Sequence, residues 1–338
     1  MVKNILITGA SGFIGSHLVE EGLKRGYTVF AGIRRTSSRE YLTDPRIRFL
    51  ELDFSSPQRI SETLSEVRSQ GIRFDTVIHN AGITRALRRE EYHRVNYLFT
   101  TYFIRALRES DQVPRKFVFM SSLGAFGPGD PVTMEPVSES TIPAPVEAYG
   151  ESKLEAARFL QSLHGFPYLI LCPTGVYGPR EKDYYRYFRM VKAGFTLSVG
   201  THGQRISFIH VKDLARLVFL ALESPLQEQT WVVSDGKNYS SREFSDLVRN
   251  AMRRKTISLR IPVPIFRFLV FILQGVSYLT GEAPLLNREK AAIMGCPNWQ
   301  CDPSACFRDL GFSPEIDLKR GVEDTLHWYR ENGWLKMR

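Results

Sequence analysis

The chain has 338 residues, 43% hydrophobic and 24% charged, a balance that supplies a large buried core and excludes a disordered or collagen-like chain. Four cysteines are too few for a disulfide framework, and the formal charge of +9 is scattered, densest at Arg34-Arg35, Arg85–Arg94 and Arg249–Arg260. No nucleic-acid-binding motif accompanies that charge, which points instead to an anionic cofactor, an anionic substrate or a membrane surface.

In chain order, Lys3–Thr8, Thr28–Ile33, Ile47–Leu52, Thr76–Asn80, Lys116–Ser121 and Tyr168–Cys172 are predicted strands. Helical patterns near Phe13–Arg25, Pro57–Ser69, Arg89–Arg108 and Val146–Leu163 alternate with them. This alternation predicts an α/β fold, a doubly wound parallel sheet of the Rossmann kind with ligands at the carboxyl ends of its strands. The first strand begins at once, with no signal-peptide pattern, so a cytoplasmic location is expected.

After Pro173 the rhythm loosens. Gly178-Pro179 and Gly194–Gly203 punctuate the chain, followed by a helix over Val211–Glu223 and a short strand over Thr230–Val233. Helices are predicted near Arg242–Arg253, Ile265–Leu279, Arg288–Met294 and Leu318–Glu331. The expected division is a dinucleotide-binding domain over residues 1–173 and a smaller substrate-binding lobe over 174–338, with segments returning to the core.

Residues 261–279 are the most apolar stretch, yet Pro262, Pro264, Arg267, Gln274 and Gly275 break the span of about 18 apolar residues that a membrane-crossing helix needs. A buried or substrate-lobe helix is the first expectation. Peripheral contact with a membrane through 261–279 is the second, kept open by Arg253-Arg254-Lys255 just upstream. Cys296, Cys301 and Cys306 recur every five residues with no nearby histidine and no Cys-x-x-Cys, so they read as buried thiols and no metal is expected.

Between the first strand and helix lies Gly9-x-x-Gly12-x-x-Gly15. The first glycine permits a tight turn, the second lets backbone approach a pyrophosphate, and the third lets helix and strand pack closely. The helix N-terminus adds amides and positive dipole. Nineteen residues past Gly15 come Arg34-Arg35, then Ser37 and Ser38. An acidic residue here would select NAD through the ribose 2′-hydroxyl, whereas two arginines suit a 2′-phosphate and predict NADP, with NAD the alternative. Asp53, after the third strand, is a candidate for the adenine amino group or a cap for the next turn. Tyr149 and Lys153 stand four apart on one helix face, where an ammonium favours the phenolate and fits the tyrosine for acid–base work.

These residues resemble the extended short-chain dehydrogenase/reductase superfamily, the NAD-dependent epimerase/dehydratase group, over nearly the whole chain. The matching motifs are Thr8-Gly-Ala-Ser-Gly-Phe-Ile-Gly15, Asp53, His79-Asn-Ala-Gly82, Val95-Asn96, Met120-Ser-Ser122 and Tyr149-Gly-Glu-Ser-Lys153. Further on come Pro173-Thr-Gly-Val-Tyr-Gly-Pro-Arg180 and Arg205-Ile-Ser-Phe-Ile-His-Val-Lys-Asp213. The resemblance implies that Ser122, five residues before Gly127, orients the substrate oxygen. Tyr149 would exchange the proton, and Lys153 would tune that phenol and hold the nicotinamide ribose. Ser11, Phe13 and Ile14, then Phe54 beside Asp53, then Asn80, Ala81 and Gly82, and finally Pro173, Thr174, Gly175 and Val176 complete the implied cofactor site. Thr84, Leu123, Gly124, Arg180, Tyr184 and Arg205 join Ser122 as implied substrate contacts. Asn96 resembles an asparagine that supports the active site. His17, His79, His93 and His210 read as packed or solvent-facing histidines.

The resemblance also bears on the reaction. Leu123-Gly124 stands where sugar-nucleotide 4,6-dehydratases carry Asp-Glu, which disfavours dehydration. Tyr27–Arg34 is similar to the reductase branch, with its dihydroflavonol-reductase-like and 3β-hydroxysteroid-dehydrogenase-like enzymes. The expectation is an NADP-preferring oxidoreductase acting on a secondary alcohol or ketone, and the apolar segment 261–279 would suit a greasy or ring-shaped substrate. A nucleotide-sugar epimerase or reductase with bound NAD is the alternative. A cofactor-sensing regulator is a third reading, against which the Tyr149–Lys153 pair weighs. Relatives dimerise through two helices, here Arg89–Arg108 and Val146–Leu163, so a homodimer is expected.

Overall fold

Six short apolar runs form the strands β1 (Asn4–Thr8), β2 (Thr28–Ile33), β3 (Arg48–Glu51), β4 (Thr76–His79), β5 (Lys116–Met120) and β6 (Tyr168–Pro173) in a computed structural model that describes residues 3–200, 203–280 and 288–336. Neighbours pair in parallel in the order β3-β2-β1-β4-β5-β6, and a seventh strand, Gln229–Val233, extends the β6 edge. That order belongs to the dinucleotide-binding fold, whose ligands lie where the strand order reverses, here between β1 and β4. Residues of β4, β5 and β6 are buried throughout, as strands covered on both faces must be.

The connecting helices Phe13–Lys24, Pro57–Ser69 and Ala148–Gln161 fall within two residues of their predicted ends. The stretch predicted as one helix over Arg89–Arg108 is instead three pieces. A short turn, Arg89–Tyr92, runs into a π-helix, His93–Leu98, and then the helix Phe99–Glu109. Inserting a residue per turn rotates one side chain out of the helical period, and here Asn96 is the residue left fully buried.

Contacts divide the chain into two units. The first contains Met1–Ala125, Ala148–Cys172 and Ala215–Trp231. The second contains Phe126–Glu147, Pro173–Leu214 and Val232–Arg338. Ala215–Trp231 is thus a returning segment, and Phe126–Glu147 belongs with the later residues.

In the second unit, β7 (Gly175–Tyr177), β8 (Phe195–Val199), β9 (Arg205–His210), β10 (the edge strand Gln229–Val233, which straddles the division), β11 (Asn238–Ser240), β12 (Ile257–Ile261) and β13 (Asn298–Trp299) follow in order. β9 is central, parallel to β7 and β13 and antiparallel to β11. β8 and β12 form a separate parallel pair. An aromatic core of Tyr177, Phe188, Phe208, Phe244 and Tyr329 holds this unit together.

Cys172, Cys301 and Cys306 are buried free thiols and Cys296 is half-buried; burial pushes the Cys301 thiol up to about 12. Among the described residues no cluster suits a metal ion, and no helix is long and apolar enough to cross a membrane. The helix Val263–Thr280 lies in the second unit, with Phe266 and Val270 buried and Ile265, Phe268, Leu269, Phe271 and Ile272 exposed.

Candidate active site

The sequence β1–glycine loop–helix builds a cradle. Gly9 has a φ of +66°, a left-handed conformation that glycine adopts without strain, and a Cβ there would lie 2.9 Å from the Ala81 backbone. The Gly12 amide donates to the Gly9 carbonyl at 3.0 Å, closing the turn. Gly12 then occupies the N-cap of the helix Phe13–Lys24 with no side-chain cap, so the first amides keep their donors for an anion. At Gly15 a Cβ would collide with the Gly9 carbonyl. Ser11, Phe13 and Ile14 are half-buried around this turn.

The end of β4 is tied to the loop by a hydrogen-bond chain. The Ala81 amide donates to Thr8 Oγ1 (3.1 Å), which lies 2.8 Å from His79 Nδ1. His79 Nε2 lies 3.0 Å from Thr100 Oγ1, whose own proton goes to the Asn96 carbonyl at 2.8 Å. Thr100 therefore accepts from Nε2–H, and Nδ1 is left to accept from the Thr8 hydroxyl, which assigns His79 as the neutral Nε2–H tautomer. Complete burial, reinforced by the Lys153 charge, pushes its pKa down to about 3. Asn80 Nδ2 reaches the Gly9 carbonyl at 3.5 Å.

Asn96 carries the chain onward. Its Oδ1 accepts from the Ile83 amide (2.8 Å), and its Nδ2 donates to the Ile83 carbonyl (3.1 Å) and to Ser152 Oγ (3.0 Å). Ser152 in turn donates to the Tyr149 carbonyl at 2.7 Å. Tyr149 is half-buried, its ring edge-on to Tyr92 at 6.4 Å. One turn along the same helix, Lys153 is 4% exposed, donates from Nζ to the Met120 carbonyl at 2.8 Å and stands 4.9 Å above the Phe119 ring. Burial pushes its pKa down to about 8, so it remains mostly an ammonium at neutral pH. A Cβ on Gly82 would lie 3.2 Å from that Nζ.

Beyond β5, Ser121 is buried and its hydroxyl has no hydrogen-bond partner among the described residues. Ser122 Oγ accepts from the Gly124 amide at 3.1 Å, which leaves its own proton to donate. Leu123 is buried in the short turn Leu123–Ala125, and Thr84 is exposed after β4. The loop after β2 presents Arg34 and Arg35 exposed, neither with a carboxylate partner among the described residues, while Ser37 folds back to bond the Arg34 backbone. Ser38 Oγ accepts from the Glu40 amide.

Asp53 accepts from the Ser55 amide and hydroxyl at one oxygen and from Arg59 at the other at 2.8 Å, as a cap of the following turn would. Phe54 packs its side chain against Phe99 and Phe103. Pro173 is buried; Thr174 donates to the Ser207 carbonyl, and Gly175 and Val176 lie in β7. Tyr184 sits edge-on to Tyr177, Phe208 and Phe244 in the aromatic core, and burial raises its pKa. Tyr177 pairs with His210 at one end of β9, and Arg180 follows it; Arg205 begins β9, about 17 Å back along the strand.

Sequence reasoning missed Ser152, the Met120 carbonyl that anchors Lys153, and the His79 relay. A serine one place before the lysine, and a threonine four places after Asn96, are signals too common to read alone.

A glycine cradle without room for side chains, an uncapped helix N-terminus and an orphaned buried hydroxyl at Ser121, just past the end of β5, fit a dinucleotide cofactor. A family model described as the NAD dependent epimerase/dehydratase family matches residues 5–234. UDP-glucose 4-epimerase from Vibrio cholerae is 28% identical over 338 residues, covering 96% of this chain and 95% of that protein. Ceramide reductase from Caulobacter vibrioides is 26% identical over 334 residues, covering 98% and 96%. The fold also matches the Thermus thermophilus UDP-glucose 4-epimerase in complex with NAD at a TM-score of 0.77 and 23% identity, covering 97% of this chain and 99% of that one.

Proposed function

The chain belongs to the NAD dependent epimerase/dehydratase family, and from that premise we propose that it is an NADP-preferring oxidoreductase interconverting a ketone and a secondary alcohol. The observation that carries this reading is the Arg34-Arg35 pair, exposed directly after β2 and without a carboxylate partner among the described residues. A guanidinium fork suits a 2′-phosphate, which an acidic residue in that place would repel. A cofactor exchanged after each turnover suits net reduction better than internal recycling.

When bound, the nicotinamide supplies the hydride to the carbonyl carbon or takes it from the carbinol carbon. Ser122 orients the substrate oxygen with its hydroxyl proton. Tyr149 gives that oxygen a proton in reduction and takes it back in oxidation. Lys153 keeps a positive charge beside the phenol and offers its ammonium to the nicotinamide ribose. Asn96 and Ser152 fix the backbone from which Tyr149 projects. We favour an apolar substrate, a reading supported by the name of the Caulobacter relative and by the apolar segment 261–272. A homodimer through the faces of Arg89–Glu109 and Ala148–Gln161 is part of the same proposal.

The Vibrio relative supports the second reading, a nucleotide-sugar epimerase with bound NAD. Purified protein assayed for oxidation of added NADPH against a panel of ketones separates the two. Turnover that is lost in Tyr149→Phe supports the reductase. Tightly held NAD with no net turnover supports the epimerase, and cofactor binding with no turnover on any substrate supports a regulator.

A further inference from the structure

In the helix Val263–Thr280 the residues 263–272 are apolar except for Arg267, more apolar than a helix with one solvated face needs to be. Its chain covers one face of it. Phe266 and Val270 are 3% and 1% exposed and pack with Val199, Ala291, Ile261 and Met294. The opposite face leaves Phe268 63%, Phe271 56% and Ile265 54% exposed, with Leu269 and Ile272 beside them. The spacing 265, 268, 269, 272 makes this a continuous stripe.

The stripe has a neighbour. On the β8–β12 ribbon, Ile257 pairs with Phe195 and Leu259 with Leu197, so their side chains share one face. Ile257, Leu259 and Phe195 are exposed there. Farther along that face, Val199 and Ile261 run into the helix at Phe266 and Val270. A ribbon and a helix thus join in one apolar surface, larger than scattered exposed residues produce.

Charge says what covers it. Between Asp246 and Glu282 the sequence has six basic residues and no acidic one. Arg253, Lys255, Arg260 and Arg267 are exposed, and among the described residues none of them has a carboxylate partner. An oily partner protein would need no such rim, and a second copy of this chain would bring the same positive charge against it. Anionic lipid satisfies both features. No described helix is long and apolar enough to cross a bilayer, which leaves an in-plane arrangement.

We propose that the Ile257–Ile272 surface docks on the headgroup region of an anionic phospholipid bilayer, with the Phe268–Ile272 stripe inserted and Arg253, Lys255 and Arg267 against the headgroups. This holds whichever reaction the first unit performs.

The test is partition of the full chain onto sedimented vesicles of phosphatidylcholine, with and without about 30% phosphatidylglycerol. Binding to the mixed vesicles is expected, at least about tenfold weaker on the neutral ones and weakened again in about 0.5 M salt. Phe268→Ser with Phe271→Ser should cut partition about tenfold or more with an unchanged melting midpoint. Arg253→Glu with Lys255→Glu, which leaves the apolar face intact, should abolish the preference for anionic lipid. Phe268→Trp should blue-shift its emission on mixed vesicles and be quenched by brominated acyl chains. No partition of the wild-type chain onto either vesicle overturns the proposal. So does a self-associated wild type that the Phe268→Ser, Phe271→Ser change renders monomeric, since the surface would then be covered by a second copy.

Discussion

Lys153 donates from Nζ to the carbonyl oxygen of Met120 at 2.8 Å, which fastens the helix bearing Tyr149 to the carboxyl end of β5. The ammonium is buried, and a buried ammonium gives up its proton more readily than one in water. With its pKa pushed down to about 8, its charge is present at neutral pH and lost in mild alkali.

Affinity for the dinucleotide, measured by fluorescence titration, should therefore be flat below pH 8 and fall above it. Lys153→Met should bind about tenfold or more weakly at pH 7 and show no such fall, the scale of a lost charge-assisted contact. For stability the sign is opposite. The folded pKa lies below the unfolded value of 10.5, so the cost of the buried charge is present below pH 8 and is relieved as pH rises from 8 toward 10.5.

His79 links the glycine loop to the π-helix as a neutral ring, and protonating it would put two donors where Thr8 and Thr100 provide for one. Its folded pKa of about 3 is far below the ordinary imidazole value of 6.5. Stability should fall as pH drops from 6.5 toward 3, by up to about 4 kcal/mol across that window. His79→Gln, followed by thermal unfolding between pH 7 and 4, should lower the midpoint at pH 7 and flatten its pH dependence. An equally steep dependence in the variant would assign the acid sensitivity elsewhere.

Asn96→Ala would strip partners from the Ile83 amide and carbonyl and from Ser152 together. Leaving such buried groups unpaired costs about 2–3 kcal/mol. The expected outcome is a lower unfolding free energy in urea together with a fall in kcat larger than the change in KM, because Tyr149 is loosened through Ser152 while the cofactor cradle stays intact. A fall in stability with unchanged kcat would make Asn96 purely a structural residue.

Much of this was readable before any coordinates. The parallel sheet follows from apolar runs and helical periods, both strong over β1 to β6, and the order Gly9 to Gly15 places the cradle. The π-helix was not readable, because 3.6 and 4.4 residues per turn diverge too little over six residues to mark a boundary. Strands β7, β11 and β13 hold only two or three residues each, too few to show alternation. Asp53 has two meanings in sequence, and its bonds to Ser55 and Arg59, six residues apart at most, could not be told from spacing alone. Tyr184, a substrate contact by resemblance, has Tyr177, Phe208 and Phe244 as edge-on neighbours, contacts between distant parts of the chain that no local pattern shows.

The most direct measurement compares NADPH and NADH binding to the wild-type chain and to Arg34→Ala. The expected result is tighter NADPH binding in the wild type and a loss of at least about tenfold, or ~1.4 kcal/mol, for NADPH alone in the variant. Equal weakening of both cofactors, or a wild-type preference for NADH, would contradict it.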